Sequence, residues 1–174
     1  MNKTLKHYFI LGALVVSALG TLAHFAYEWS GSNRLVALFT AVNESTWEHM
    51  KLLFFPMLLV SGILYLLLKE NYPNILCGLL GGNLVGLALI PILFYTYSGI
   101  LGKNISAINI SIFYISVFAA FITAYLITLK GKKEQCSNLL LFVTFILVLL
   151  FFIFTYYPPS LGIFTPPDYM PPSD

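Results

Sequence analysis

Apolar residues follow one another along this chain in five long runs that short polar segments separate. A helix needs about 20 apolar residues to cross about 30 Å of hydrocarbon, because each residue adds about 1.5 Å of length. The runs are long enough to do this, and they cover residues 8–29, 46–68, 75–97, 105–129 and 138–157. The pattern predicts an all-α integral membrane protein with five transmembrane helices in a single domain, residues 1–157.

A shorter apolar segment, residues 34–42, lies between the first two runs and is too short to cross a bilayer. Its apolar side chains have i, i+3, i+4, i+7 spacing, which places them on one face of a helix: Leu35, Leu38, Phe39 and Val42. The segment is therefore predicted to be a short helix in the membrane interface.

The end of the chain, residues 158–174, has a different character because it contains six of the nine prolines. Such a composition favours extended chain over helix, so we predict a Pro-rich extracytoplasmic tail. Its Ile163 and Phe164 are apolar enough to dock on the helices.

The composition agrees with a membrane protein and narrows the function. Hydrophobic residues make up 59% of the chain and charged residues 9%, and the mean hydropathy is +0.86. The formal charge of +2 is too weak for a nucleic-acid surface, so no nucleic-acid partner is expected. The sequence contains no glycine-rich nucleotide motif and assigns no catalytic residue.

Basic residues are spread unequally over the segments between the runs. With the N-terminus inside, six lie on the inner side, and three lie on the outer side, namely Arg34, Lys51 and Lys103. Cytoplasmic segments near spans carry the excess of positive charge, so this predicts an N-in/C-out protein. The first run could instead be a cleaved signal peptide, although it continues to an interfacial Trp29, as a true span does.

The two cysteines are not expected to form a disulfide. Cys77 lies within an apolar run, whereas Cys136 lies beside Lys132 and Lys133 on the predicted cytoplasmic side, where thiols stay reduced.

The third run carries Gly78, Gly82 and Gly86 at four-residue spacing. Small residues at this spacing form a ridge that lets two membrane helices approach closely. We expect the third and fourth helices to pack tightly. The same ridge is a candidate surface for self-association or for a partner helix, in addition to the lipid bilayer around the protein.

Polar residues gather in one part of the chain. Three of the five glutamates and two of the three histidines lie between positions 24 and 49, namely His24, Glu28, Glu44, Glu48 and His49. His24 and Glu28 are four residues apart and share a helix face. All five should meet near the outer boundary of the membrane, and Asn109 is expected at a depth similar to that of His24.

Two interpretations of this group stay open. Imidazole and carboxylate groups are suitable ligands for a divalent metal ion, so all five residues are candidate metal ligands, or His24 and Glu28 could form a proton-handling pair. Alternatively, each residue has a separate structural role. Ser45 and Glu48, for example, have the spacing of a capping box at the start of the second long helix.

The sequence resembles an uncharacterised family of small bacterial multi-spanning membrane proteins. The residues that carry the resemblance are His24, Tyr27-Glu28-Trp29, Asn43-Glu44-Ser45-Thr46-Trp47-Glu48-His49, Lys51 and Tyr157-Pro158-Pro159. The resemblance implies a location in the bacterial cytoplasmic (inner) membrane. It also implies that one group of residues deserves interest as a ligand-binding site, namely Glu28, Asn43, Glu44, Trp47, Glu48 and His49.

These observations support two hypotheses about function. The first is a non-enzymatic binding or transport-accessory protein, whose outward-facing His/Glu site binds a cation or a small polar ligand. The alternative is a metal-dependent membrane hydrolase that acts on an interfacial, lipid-linked substrate.

Overall fold

The computed structural model describes residues 3–130 and 135–167, with side chains described for all of these except residues 135–137. In this part of the chain, five helices are long and apolar enough to cross a membrane. They are α1 (Lys3–Trp29), α3 (Thr46–Leu68), α4 (Ile75–Leu101), α5 (Ser106–Lys130) and α6 (Gln135–Tyr156). A short helix α2 (Arg34–Ala37) and one 3₁₀ turn (Gly162–Phe164) complete the fold. The predicted fold class is confirmed.

Helix α3 forms the centre of the bundle, where it packs against α1, α4 and α5. Phe54, Leu53 and Met57 on α3 are fully buried. Helix α6 packs against α4, and it reaches α3 through aromatic contacts between Phe151 and two side chains, Trp47 and Phe54. Most of the α6 surface remains open to lipid.

The glycine ridge of α4 fits against α5 of the same chain. A Cβ atom on Gly78 would lie 2.6 Å from the Ala124 carbonyl oxygen, and one on Gly86 would lie 2.7 Å from the Ala120 Cβ. Any larger side chain would push the two helices apart. The tight packing of the third and fourth spans is therefore as expected, and a partner helix on this ridge, which stays a prediction, would have to displace α5.

The segment between α1 and α3 differs from its prediction. The helix expected over 34–42 ends at Ala37. The physical reason is a competing hydrogen bond: the carbonyl of Ala37 accepts one from the Lys51 Nζ at 2.8 Å, whereas in a longer helix it would accept from residue 41.

The expectation for the cysteines is wrong, because Cys77 is disulfide-bonded in the structure. The side chain of Cys136 lies outside the described residues.

The described part of the tail, residues 158–167, returns to the bundle. Phe164 packs against Trp47 and Phe154, with ring centroids 4.9 Å and 5.3 Å away. Ile163 packs on the same apolar core. The tail contains one 3₁₀ turn where continuous extended chain was expected, and residues 168–174 lie outside the described part.

Candidate metal centre and adjoining cavity

Two histidines and one glutamate converge where α1, α3 and the segment before α3 meet. The Glu44 carboxylate lies between them, with Oε2 3.4 Å from His49 Nε2 and Oε1 3.8 Å from His24 Nε2. One ligand atom from each residue lies within 4.8 Å of the others. The sequence predicted that these residues would meet, although their binding role stays a prediction.

The orientation of His49 fixes which of its ring nitrogens carries a proton when the ring is neutral. Its Nδ1 lies 3.0 Å from the carbonyl oxygen of Ser45, which can only accept a hydrogen bond. The Nδ1–H therefore donates to Ser45, and the Nε2 lone pair points towards Glu44. A histidine that binds a metal ion commonly donates its other N–H to a carbonyl in this way.

Local capping holds Glu44 beside the histidines. The Asn43 side chain accepts a hydrogen bond from the Ser45 amide at 2.9 Å, which closes a tight turn around Glu44. Ser45 then caps α3 by accepting from the Glu48 amide at 3.4 Å. Glu44 itself is 63% exposed, so its carboxylate is accessible to an ion from solvent.

Glu48 points away from the histidines and into the protein. Its carboxylate pairs with Lys51 at 2.5 Å and accepts a hydrogen bond from the Val42 amide at 3.0 Å. Because the Glu48 carboxylate is bonded to Lys51 and to the Val42 amide, it does not accept from the Ser45 amide as the predicted capping box requires. The Asn43 side chain accepts from the Ser45 amide instead. Glu48 is therefore not part of the group formed by His24, Glu44 and His49.

Lys51 is fully buried, whereas its position in the sequence predicted a basic residue on the outer side. Its ammonium group has three hydrogens and three acceptors: Glu48 Oε2, the Ala37 carbonyl at 2.8 Å and Thr155 Oγ1 at 2.9 Å. The buried pair thereby joins α3 to the segment before it and to α6. Its effect on the histidine group is indirect, because it fixes the chain that leads to Glu44.

A cavity of about 690 Å³ adjoins the histidine group. Residues of α1, α3, α4 and α5 form its walls, among them Thr21, Leu52, Phe94 and Phe113, and Pro167 brings the tail to it. His24, Glu44 and His49 line the same cavity. This volume lies within the usual range of small-molecule sites.

Asn109 lines the same cavity as the histidines, together with Asn104. Its amide donates to Asn104 Oδ1 at 2.7 Å, and Tyr97 Oη contacts both asparagines. That Asn109 lies at a depth similar to that of His24 stays a prediction. Residue spacing in the sequence did not indicate Tyr97, nor the hydrogen bond of 3.1 Å between Thr21 and Tyr114, which both line the cavity.

The two other candidates do not join the histidine group. Glu28 is exposed, and among the described residues no hydrogen bond or ion pair involves its carboxylate. Trp47 is 8% exposed and packs against Phe151, Phe154 and Phe164, which makes it part of the apolar core. A ligand-binding role for either residue stays a prediction.

Five long apolar helices define an integral membrane protein with several spans, and the His/Glu group gives it a possible metal site. The chain belongs to the family of unknown function DUF6512, whose sequence model matches residues 1–168. No curated protein and no solved structure matches the chain. The function therefore has to be argued from the site itself.

Proposed function

We propose that the protein binds a divalent metal ion of the zinc type through His24, Glu44 and His49. Its role is that of a binding or transport-accessory protein, with the site at the outer face of the membrane in which it lies. One observation carries this proposal. The His49 Nε2 lone pair and a Glu44 oxygen face each other at 3.4 Å, and both are electron-pair donors when the histidine is neutral. A cation between them turns this contact into an attraction.

The distances suit a tetrahedral ion. With bonds of about 2.1 Å, ligand atoms in a tetrahedral site lie about 3.4 Å apart. The pair formed by His49 Nε2 and Glu44 Oε2 has this separation. His24 Nε2 lies 3.8 Å from the other carboxylate oxygen, Oε1, and the three ligand atoms lie within 4.8 Å of one another, so the part-exposed side chains must move closer to bind one ion. Two histidines and one carboxylate are a known zinc ligand set, with a fourth position left for water or another ligand.

The orientation is part of the proposal. We place the N-terminus and the basic loop between α5 and α6 in the cytoplasm and the site on the outer side of a bacterial cytoplasmic membrane. The burial of Lys51 supports this, because only Arg34 and Lys103 of the three residues counted as outer then remain for that side. The proposal also requires α1 to remain in the mature protein, since His24 lies on it.

The test is zinc binding to the purified full-length chain in lipid nanodiscs. Calorimetry and elemental analysis should find about one ion per chain, and His24→Ala, His49→Ala and Glu44→Gln should each weaken binding by about 100-fold or more. His7→Ala and Glu70→Gln are matched controls, because both residues are exposed and lie outside the group. These two variants should bind zinc as the wild type does.

Two results would contradict the proposal. One is a wild-type protein that takes up no zinc, cobalt or manganese after chelator-free purification and direct titration. The other is binding that the control variants weaken as much as the three ligand variants do, since this would place the ion elsewhere.

A metal-dependent hydrolase is the second candidate. The observation that favours it is the adjoining cavity, in which a substrate would lie beside the open position of the metal, where a bound water becomes a nucleophile near neutral pH. The binding role ranks first because the described residues that line the cavity include no carboxylate besides Glu44 to act as a base.

Turnover of para-nitrophenyl laurate by the zinc-loaded protein separates the two candidates. A hydrolase should release nitrophenol in a zinc-dependent reaction that His49→Ala abolishes. A protein that binds zinc and shows no release above the rate of zinc-loaded empty nanodiscs favours the binding role.

A further inference from the structure

The cavity beside the histidine group has two layers of different chemistry. The outer layer is polar and contains His24, Glu44, His49, Asn104 and Asn109. The inner layer is apolar and is lined by Gly20, Leu52, Ile90, Ile112 and Phe113. Gly20 lies one helical turn before His24, so this layer begins about 6 Å deeper in the membrane.

The lining of the cavity includes exposed residues of α1 and α5. Phe25 is 43% exposed and Ile110 is 59% exposed. The hydrogen bond between Thr21 and Tyr114 joins the same two helices. An opening beside Phe25 and Ile110 would let a molecule dissolved in the bilayer reach the cavity sideways.

We infer that the cavity binds a single-chain amphiphile with an anionic oxygen head group, a carboxylate or a phosphate. The head group binds the open position of the metal ion, and the hydrocarbon chain extends into the apolar layer. This inference rests on the proposed metal site and names the class of ligand that the site takes. Asn104 and Asn109 line the same cavity and add polar side chains to it.

The size of the cavity suits a single chain. Its volume of about 690 Å³ lies within the usual range of sites that bind one small molecule, and a phospholipid with two long chains is larger than such a ligand. Metal coordination at one end and apolar burial at the other fix both the depth and the direction of the ligand.

The experiment uses a lauric acid that carries a photoreactive diazirine on its chain. The full-length protein in nanodiscs is loaded with zinc or stripped by a chelator, irradiated with this probe and mapped by peptide mass spectrometry. Labelling should concentrate on the α1 and α5 peptides that line the cavity, and it should fall by about tenfold without zinc. Unlabelled lauric acid and lauryl phosphate, added separately, show which head group competes better.

Two tryptophan variants on α5 provide the comparison. Ile112→Trp fills the inner layer and should reduce the labelling, whereas Ile115→Trp places the same side chain on the lipid-facing surface, because Ile115 is 54% exposed and lies outside the cavity lining. Zinc binding by Ile112→Trp reports whether this variant is folded. If it does not fold, competition by the two unlabelled amphiphiles decides.

Uniform labelling of the lipid-facing surface would overturn the inference, and so would labelling that neither zinc nor the competitors change. Both results can occur in a protein that binds zinc normally, which would leave the metal site standing. Failure of zinc binding in the calorimetric test would instead contradict the proposed function, so the two failures are distinguishable.

Discussion

Breaking the buried ion pair of Glu48 and Lys51 should lower the free energy of unfolding. Lys51→Met removes the ammonium group and leaves a carboxylate, 3% exposed, with the Val42 amide as its remaining donor. Glu48→Gln leaves the ammonium with two neutral acceptors, the Ala37 carbonyl and Thr155 Oγ1. Breaking a buried pair on one side costs about 3–5 kcal/mol, because the remaining charge is not compensated.

The double variant, Glu48→Gln with Lys51→Met, should lose much less than the sum of the two single variants. Neither residue is charged after both changes, and the glutamine can still accept from the Val42 amide. We expect a coupling energy of about 2–3 kcal/mol between the two positions. Each single variant should also weaken zinc binding by about tenfold, because the pair joins α3 to the chain that leads to Glu44, and an uncompensated buried charge displaces that chain.

The assay is reversible unfolding in mixed micelles as the fraction of dodecyl sulfate is raised, followed by circular dichroism. Lys103→Met is the matched control, because Lys103 is exposed and its replacement should change the unfolding free energy by less than about 0.5 kcal/mol. Two results would contradict the coupling of Glu48 and Lys51: strictly additive losses of unfolding free energy in the double variant, or single-variant losses as small as that of the control.

Three other predictions follow from the same structure. Zinc affinity should fall by more than about tenfold between about pH 7.5 and 5.5, because protons compete for both imidazoles, and pH-independent binding would exclude histidine ligands. Gly82→Leu should lower the unfolding free energy by about 1–3 kcal/mol, because its side chain would meet the Ala120 carbonyl. Gly99→Leu should cost less, because the space around Gly99 is open, and equal losses would contradict this packing. Phe164→Ala should increase acrylamide quenching of Trp47 in a Trp29→Phe background, and unchanged quenching would show that the tail does not cover Trp47.

The long helices could be predicted because each depends on a continuous stretch of the chain. About 20 apolar residues in a row can satisfy their backbone hydrogen bonds in lipid only as a helix, whatever surrounds them. The convergence of His24, Glu44 and His49 was predictable for a related reason. All three lie near the same end of two neighbouring spans, so the topology alone brings them close.

The direction of each glutamate side chain could not be predicted in this way. The spacing of Ser45 and Glu48 indicated a capping box, but Lys51 is also within reach of Glu48, and it has further acceptors on Ala37 and Thr155. The second of these lies 104 residues away in the sequence. Local spacing does not show such a partner, so the sequence alone could not separate the metal candidate Glu44 from the structural Glu48.

The hydrogen bond between Lys51 and Thr155 also sets an order of events during synthesis. Helix α3 leaves the ribosome long before α6, so when α3 enters the membrane, the nearest acceptor for Lys51 is Glu48 on the same helix, three residues away. The two can enter the bilayer as a pair without net charge. The third acceptor arrives only with the last span, and the end of the bundle that holds Lys51 therefore reaches its final form after that span has been inserted.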